Sequence, residues 1–166
     1  MYKWLLILFL VTSSNVCVEI GEISELRGNG EILRQSEGDK LLAKLALDIF
    51  SYDDIRTGNG RIAVKFVDES IIRLTEHSKI IIDEYIYDPD PSKSKLALRM
   101  ASGTARFITG ALGKIDKQNI KIRTPSATVA VRGTDFTTTV DELGRSLVIL
   151  LPKPDGSSSG EITVET

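Results

Sequence analysis

Short stretches of the chain alternate apolar and polar residues, and polar breaks separate one stretch from the next. In residues 61–67, Ile62, Val64 and Phe66 share one face, and the acidic turn 68–70 follows. Because successive side chains of a β-strand point to opposite faces, a period of two indicates strands with one buried face. The pattern predicts roughly ten to twelve strands. Further stretches of this kind lie at 18–27, 31–34, 71–74, 79–85, 120–124, 128–132, 136–140 and 146–151.

Many short strands joined by polar turns predict an all-β protein of a single domain. Its stacked antiparallel strands would form a β-roll or short solenoid, or else a two-layer sandwich. Residues 40–50 are ambiguous, because Leu42, Leu45 and Ile49 have helical spacing whereas the surrounding pattern favours two short strands. We expect strands there. The sequence Gly28-Asn29-Gly30 is typical of a tight hairpin.

The chain contains one internal echo. The segment 55–57 is similar to 122–124, and the segment 62–65 is similar to 129–132, with the same spacing between the two segments in each copy. This predicts a repeated unit of two strands around a four-residue corner, as in a stacked solenoid. Near the end, the Pro-, Ser- and Gly-rich segment 152–160 predicts a flexible loop.

Residues 1–17 have the layout of a secretory signal peptide, with Lys3 followed by an apolar run and then small polar residues. The apolar run is too short to cross a bilayer, so we expect no membrane span in the mature chain, residues 18–166. Cleavage suits the position after Ser14, with the position after Cys17 as the alternative. Cys17 also suggests a lipoprotein, although the residues before it match such a signal poorly. The mature protein is therefore expected to be periplasmic or secreted.

Composition narrows the chemistry that the chain can perform. Lys and Arg number 21 against 23 Asp and Glu, and the net charge of −2 predicts no nucleic-acid partner. One His and one Cys exclude a His- or Cys-rich metal cluster and an intrachain disulfide. His77 lies in a polar turn, and Asp53 and Asp54, being adjacent on a strand, are expected to be solvated on opposite faces. We therefore predict no catalytic residue, metal or cofactor, and keep an envelope hydrolase as a minor alternative.

Residues 124–136 read Thr-Pro-Ser-Ala-Thr-Val-Ala-Val-Arg-Gly-Thr-Asp-Phe. This stretch resembles the signature of the FecR domain family, whose recurring form is T-P-x-A-x-V-x-V-R-G-T-x-F. Parts of residues 54–74 and 101–106 resemble that family too, and the likeness extends over roughly residues 18–151. At Glu69 the family usually has Gly, which eases a positive φ in a tight hairpin. Glu69 therefore predicts a different turn type.

The resemblance implies an extracytoplasmic all-β module with a role in sensing or protein contact. Regulators of the family also carry a cytoplasmic segment for a sigma factor, a membrane helix and a receptor-docking portion, none of which we expect here. We therefore expect an exported, non-catalytic FecR-like module that binds an envelope or surface protein, or a glycan. The alternative is an extracytoplasmic component of a receptor-linked transmembrane signalling system.

The most charged part of the signature is Arg132-Gly133-Thr134-Asp135. Arg132 and Asp135 are candidates for contact with a partner. The structural interpretation has the stronger physical support: Gly133 permits a bulge, Thr134 or Asp135 satisfies turn amides, and Arg132 pairs across strands.

Overall fold

The computed structural model describes residues 18–35, 38–88, 90, 93–111, 119–133, 135–152, 156 and 160–166. The described residues form fourteen β-strands and no α-helix, which confirms the all-β prediction with more strands than expected. This part of the chain contains no helix long and apolar enough to cross a membrane. The strands are β1 (Glu19–Arg27), β2 (Gly30–Arg34), β3 (Asp39–Leu42), β4 (Asp48–Phe50), β5 (Asp53–Thr57), β6 (Arg61–Phe66), β7 (Ile71–Leu74), β8 (Lys79–Ile86), β9 (Lys95–Ile108), β10 (Ile120–Arg123), β11 (Thr128–Arg132), β12 (Phe136–Val140), β13 (Ser146–Leu150) and β14 (Glu161–Glu165).

The strands make one continuous sheet that curls on itself around β9, the longest strand. Residues 103–108 of β9 belong to half A, with strand order β4-β1-β6-β7-β9-β12-β13. Residues 95–102 belong to half B, with strand order β3-β2-β5-β8-β9-β10-β11-β14. The bend falls at Gly103, whose φ of 86° lies in the left-handed region that glycine adopts at little cost. Within the described segments, every ladder is antiparallel except that of β9 with β10, which is parallel.

The two halves enclose one hydrophobic core, because the apolar positions of each strand turn inward. The rings of Phe66 in half A and Tyr85 in half B stack with their centroids 5.4 Å apart. Phe107 and Phe136, on neighbouring strands of half A, stack at 4.7 Å. The polar positions of the same strands consequently face solvent, and those of half A form the surface described below.

Residues 40–50 form strands, as predicted. β3 pairs with β2 in half B, and β4 pairs with β1 in half A. Ile49 is fully buried, whereas Leu42 and Leu45 are exposed, so the helical spacing of these residues does not correspond to a buried face. Burial of Ile49 between the halves decides in favour of strand.

The hairpin predicted at Gly28-Asn29-Gly30 is wrong. The strands on either side do not pair with each other, because β1 lies in half A and β2 in half B. Gly28 does have a positive φ, of 72°, but there it turns the chain between the halves. The Asn29-Gly30 signal therefore predicts neither the strand pairing nor the residue with positive φ, because Asn29 and Gly30 both have negative or extended φ.

The repeated unit predicted from the internal echo is also wrong. In the first copy, β5 and β6 lie in different halves and do not pair. In the second copy, β10 and β11 form a hairpin within half B, where Arg123 faces Thr128. Similar residues therefore make a crossing in one place and a hairpin in the other.

The turn between β6 and β7 holds Glu69 in an unusual backbone conformation. Glu69 itself has a φ of 66°, so it takes the left-handed conformation that glycine would have supplied. Its N–H donates to the carbonyl of Phe66 at 3.0 Å, and the N–H of Phe66 donates to the carbonyl of Ser70 at 2.9 Å, closing the β6–β7 hairpin. A non-glycine residue therefore carries the strain of the left-handed conformation at this turn.

We expect Glu69→Gly to raise the free energy of unfolding by about 0.5–1 kcal/mol. Relief of the left-handed conformation, about 1–2 kcal/mol, exceeds the entropic cost of a glycine in the unfolded chain. Urea denaturation followed by circular dichroism measures the change. Glu69→Gln is the control, because it removes the ion pair with Lys65 and keeps the strain. If the free energy of unfolding of Glu69→Gly is no higher than that of Glu69→Gln, the interpretation that the turn is strained at Glu69 is wrong.

Candidate functional site: an arginine face on half A

The outer surface of half A carries four arginines on adjacent strands. Arg27 lies on β1, Arg61 on β6, Arg73 follows on β7 and Arg106 on β9. Each points outward because its neighbours in the strand, such as Ile62, Ile72, Leu74, Ala105 and Phe107, are buried. We call this surface the arginine face, and define it by these arginines with Glu25, Ala63, Thr75, Thr104 and Thr137.

The arginines face each other in pairs across the ladders. Arg27 is opposite Arg61 in the β1–β6 ladder, and Arg73 is opposite Arg106 in the β7–β9 ladder. Like charges placed directly opposite on one face of a sheet repel and destabilise it. The fold therefore holds two unfavourable pairs side by side on one surface.

Carboxylates accompany three of the four arginines. Arg73 donates to Glu25 at 2.9 Å, Arg61 to Glu76 at 3.2 Å, and Arg106 to Asp135 at 3.3 Å. The hydrogen bond from Arg73 lowers the pKa of Glu25, and its charge lowers it further. The pKa of Glu76 is also lowered, first by its own backbone N–H and then by Arg61. Both carboxylates consequently remain ionised at neutral pH and partly neutralise the face.

The arginines surround a cavity of about 480 Å³. Ala63 lies at its base, where its small side chain is 2% exposed, and Thr75, Thr104 and Thr137 supply hydroxyl groups around it. The face continues onto β13, since Thr137 is opposite Ile149 in the β12–β13 ladder. Ile149 and its neighbour Leu147 are 47% and 58% exposed, and among the described residues β13 pairs with β12 alone. Charged, polar and apolar groups are thus contiguous on this surface.

The signature residues do not form a common site. Arg132 is exposed at the end of β11 in half B, where Glu161 of β14 is its partner in the ladder. Asp135 precedes β12 in half A and bonds to Arg106. Between them Gly133, with a φ of 59°, carries the chain from one half to the other, and Thr134 lies outside the described residues. Of the three signature residues that the structure describes here, Asp135 alone borders the arginine face.

The first residues of the signature make a turn that joins the halves. The hydroxyl of Thr124 accepts from the N–H of Ala127 at 3.0 Å, and the backbone N–H of Thr124 donates to the carbonyl of Ala127 at 2.8 Å. Ser146, at the start of β13, donates to the Thr124 hydroxyl at 2.6 Å. This turn in half B therefore holds the β12–β13 hairpin of half A.

The sequence analysis also considered His77 and the acidic pair Asp53 and Asp54, and the structure exposes the histidine and buries the acids. His77 is exposed in the β7–β8 corner with a φ of 53°, as a polar turn residue. The expectation that Asp53 and Asp54 are solvated is wrong, since they are 0% and 5% exposed. Asp53 binds Arg34 at 3.2 Å, and Asp54 binds Arg56 at 2.7 Å on the other face of the strand. Burial is possible because each carboxylate has a cationic partner, which composition and periodicity do not reveal.

A buried polar network that sequence reasoning missed lies under the β6–β7 turn. Asp68 accepts from Ser70 Oγ at 2.7 Å and from the Tyr85 hydroxyl at 3.2 Å. Ser70 Oγ in turn accepts from the N–H of Gly110 at 2.8 Å. Burial raises the pKa of Tyr85, and the nearby Asp68 carboxylate raises it further. The network anchors the end of β9 to the β6–β7 hairpin.

The raised pKa of Tyr85 predicts alkaline sensitivity. An unfolded tyrosine ionises near pH ~10, whereas the folded protein holds Tyr85 neutral, so this group's stabilisation is complete below that pH and is lost as the pH rises above it. We expect the free energy of unfolding to fall more steeply above pH ~10 in the wild type than in Tyr85→Phe. Tyr87→Phe, at an exposed tyrosine, should follow the wild type. Identical alkaline profiles for all three would contradict the assignment.

The protein is thus an all-β module, and its arginine face is a charged surface that is open to solvent. The family model described as FecR protein matches residues 53–151, more than half of the chain. The chain belongs to the FecR family, which is linked to signalling regulators and is periplasmic in signalling systems. No curated protein and no solved structure gave a significant match. The strands β1–β4 lie outside the matched segment, although β1 and β2 pair directly with β6 and β5 within it.

The four arginines were not singled out by the sequence. The alternation of apolar and polar residues does place Arg61 and Arg73 on the polar faces of their strands, and it predicts that both are surface residues. Their juxtaposition depends on the order of strands in half A, where β1, β6, β7 and β9 are neighbours despite their separation in sequence.

Proposed function

We propose that this protein is an exported, non-catalytic FecR-family module that binds an envelope or surface protein, and that the arginine face and β13 form the binding surface. Membership in a family of signalling regulators supports a role in recognition, and the leader-like residues 1–17 support export. The proposal needs no metal or cofactor.

The observation that carries the proposal is the continuity of the arginine face with the exposed edge of β13. An edge strand presents unpaired backbone N–H and C=O groups and can accept a strand from a partner. Apolar side chains on that edge, with arginines beside them, match the composition of protein interfaces, where Arg is enriched and Lys depleted. A protein therefore fits this surface better than a neutral glycan does, since no aromatic ring lies among its described residues.

The family's signalling role supports a related second function. A partner bound at this face could belong to a receptor-linked transmembrane signalling system, in which the module is the extracytoplasmic component. The two functions differ in the identity of the partner and share the binding surface.

Site-specific photo-crosslinking in the native envelope tests the surface. A photoreactive residue replaces Ile149 on β13 in the full chain, and a control replaces Arg123, which is exposed on half B. We expect a discrete adduct with an envelope or surface protein from position 149 and none from position 123. Adducts of equal yield from both positions, or from neither, would contradict the proposed surface. The identity of the adduct, by mass spectrometry, separates a signalling receptor from other partners.

A further inference from the structure

We propose that the arginine face recognises an acidic segment of polypeptide, whose carboxylates replace Glu25, Glu76 and Asp135 as partners of the arginines. The inference deepens the proposed function and rests on it, because it names what the partner presents to this surface. The argument depends on the charge pairing across the ladders, on the choice of arginine, and on the apolar strand beside it.

The arginines of each pair place like charges opposite each other in the free protein. Arg27 faces Arg61 and Arg73 faces Arg106, and both pairs border the same cavity. Each pair is unfavourable on its own, and a carboxylate placed between its members converts the repulsion into two attractions. Such an arrangement is suited to holding a ligand with more than one negative charge.

The existing ion pairs show that these arginines can be engaged by carboxylates from the rim. The side chains of Glu25 and Glu76 are 62% and 47% exposed, and Asp135 is 34% exposed, so their ion pairs with the arginines are solvated. Solvated ion pairs contribute little and exchange at little cost. Arginine also forms two parallel bonds to one carboxylate, which lysine does not. Carboxylates from another chain can therefore compete for the same guanidinium groups.

The neighbouring strand favours a peptide over an acidic glycan. Leu147 and Ile149 extend the face with exposed apolar side chains, and the edge of β13 offers backbone hydrogen-bonding groups. An extended peptide with alternating acidic and apolar residues could satisfy the arginines, the apolar side chains and the strand edge together. A polyuronate could engage the arginines alone.

Fluorescence anisotropy with the purified mature protein tests the inference. The probe is a soluble labelled peptide of glutamate, leucine and serine, and the matched control peptide has glutamine in place of glutamate. The variants Arg106→Gln and Arg73→Gln each remove one arginine of the pair that faces across the β7–β9 ladder. Arg99→Gln is the control variant, because Arg99 also faces an arginine, Arg123, but on the outside of half B.

We expect the glutamate peptide to bind and the glutamine peptide to bind at least about tenfold more weakly. Arg106→Gln and Arg73→Gln should each weaken binding by about tenfold, leave the midpoint of thermal unfolding unchanged or raised, and reduce the salt dependence. Arg99→Gln should bind within about twofold of the wild type. A lowered unfolding midpoint in the two face variants would assign these arginines a structural role instead.

Several outcomes would overturn the inference. One is that the glutamine peptide binds as tightly as the glutamate peptide, and another is that Arg99→Gln weakens binding as much as the two face variants do. A third is that the glutamate peptide does not bind at all. The fourth is that polygalacturonate displaces the peptide at a lower concentration of carboxylate groups than the unlabelled peptide requires. The last would identify an acidic glycan as the ligand. An adduct at position 149 with no peptide binding would refute the acidic ligand and leave the proposed function standing, whereas absence of both would refute both.

Discussion

Gly103→Ala is expected to destabilise the protein by more than about 4 kcal/mol, a large part of the stability of a typical domain. Gly103 is the point at which β9 passes from half B to half A, with a φ of 86°. A methyl group built there would lie 2.5 Å from the Cα of Ser78 and closer still to the Ser78 hydroxyl. The obstacle is backbone and cannot rotate away.

The same close approach makes Ser78 a centre of hydrogen bonding. Its Oγ donates to the carbonyl of Thr104 at 3.1 Å and accepts from the N–H of Thr104 at 3.0 Å. Displacing Ser78 would break both bonds and take this partner from the N–H of Thr104. The cost of an alanine at Gly103 therefore combines backbone strain, steric overlap and lost hydrogen bonds.

Gly38→Ala separates these contributions. Gly38 has a φ of 72°, but nothing lies within 4 Å of the position of an added methyl group. It should cost only the left-handed strain, about 1–2 kcal/mol. Urea denaturation of both variants measures the difference. Equal losses of stability would mean that contact with Ser78 is not the reason that glycine occupies position 103.

Asp53→Ala is expected to lower the free energy of unfolding by about 3–5 kcal/mol. The Asp53 side chain is 1% exposed and binds Arg34, whose side chain is 11% exposed, at 3.2 Å. It also accepts from the N–H of Phe50 at 3.0 Å, and Arg34 lies over the Phe50 ring at 4.3 Å. Removing the carboxylate would leave a largely buried guanidinium and a backbone N–H without this partner.

Two further variants make this prediction specific. Asp83→Ala removes the ion pair with Arg99, whose side chain is 55% exposed, and should cost no more than about 1 kcal/mol. The double variant Asp53→Ala with Arg34→Leu should recover much of the loss, because it removes the unpaired charge. Chemical denaturation gives all the values. A double variant as unstable as Asp53→Ala would show that the charge pairing is not the source of the loss.

The arginine face shows where sequence reasoning ended. Alternation placed Arg61 and Arg73 on the polar faces of their strands, and the signature drew attention to Arg132 and Asp135 instead. The structure puts Arg132 in half B and brings Asp135 to Arg106. Strand order decides this grouping, and it depends on contacts between residues that are distant along the chain.

The turns show a similar division. Gly28 and Gly133 adopt positive φ, which a residue without a side chain does freely, although the sequence pattern predicted a hairpin at the first and a bulge at the second. Glu69, Tyr52 and His77 adopt positive φ without such a signal, because the packing of the strands around them imposes it. The echo between residues 55–65 and 122–132 failed for the same reason, as similar strands were assigned to different partners.

The sequence by itself determined the all-β class, most strand positions and the family. These follow from local alternation, turn chemistry and a specific motif, which act within a few residues. Only the tertiary structure decided the two halves, the bend at Gly103, the buried partner of Asp53 and the facing pairs of arginines. Each of these depends on which strands lie side by side, and that choice is made by burial of the shared core rather than by any one segment.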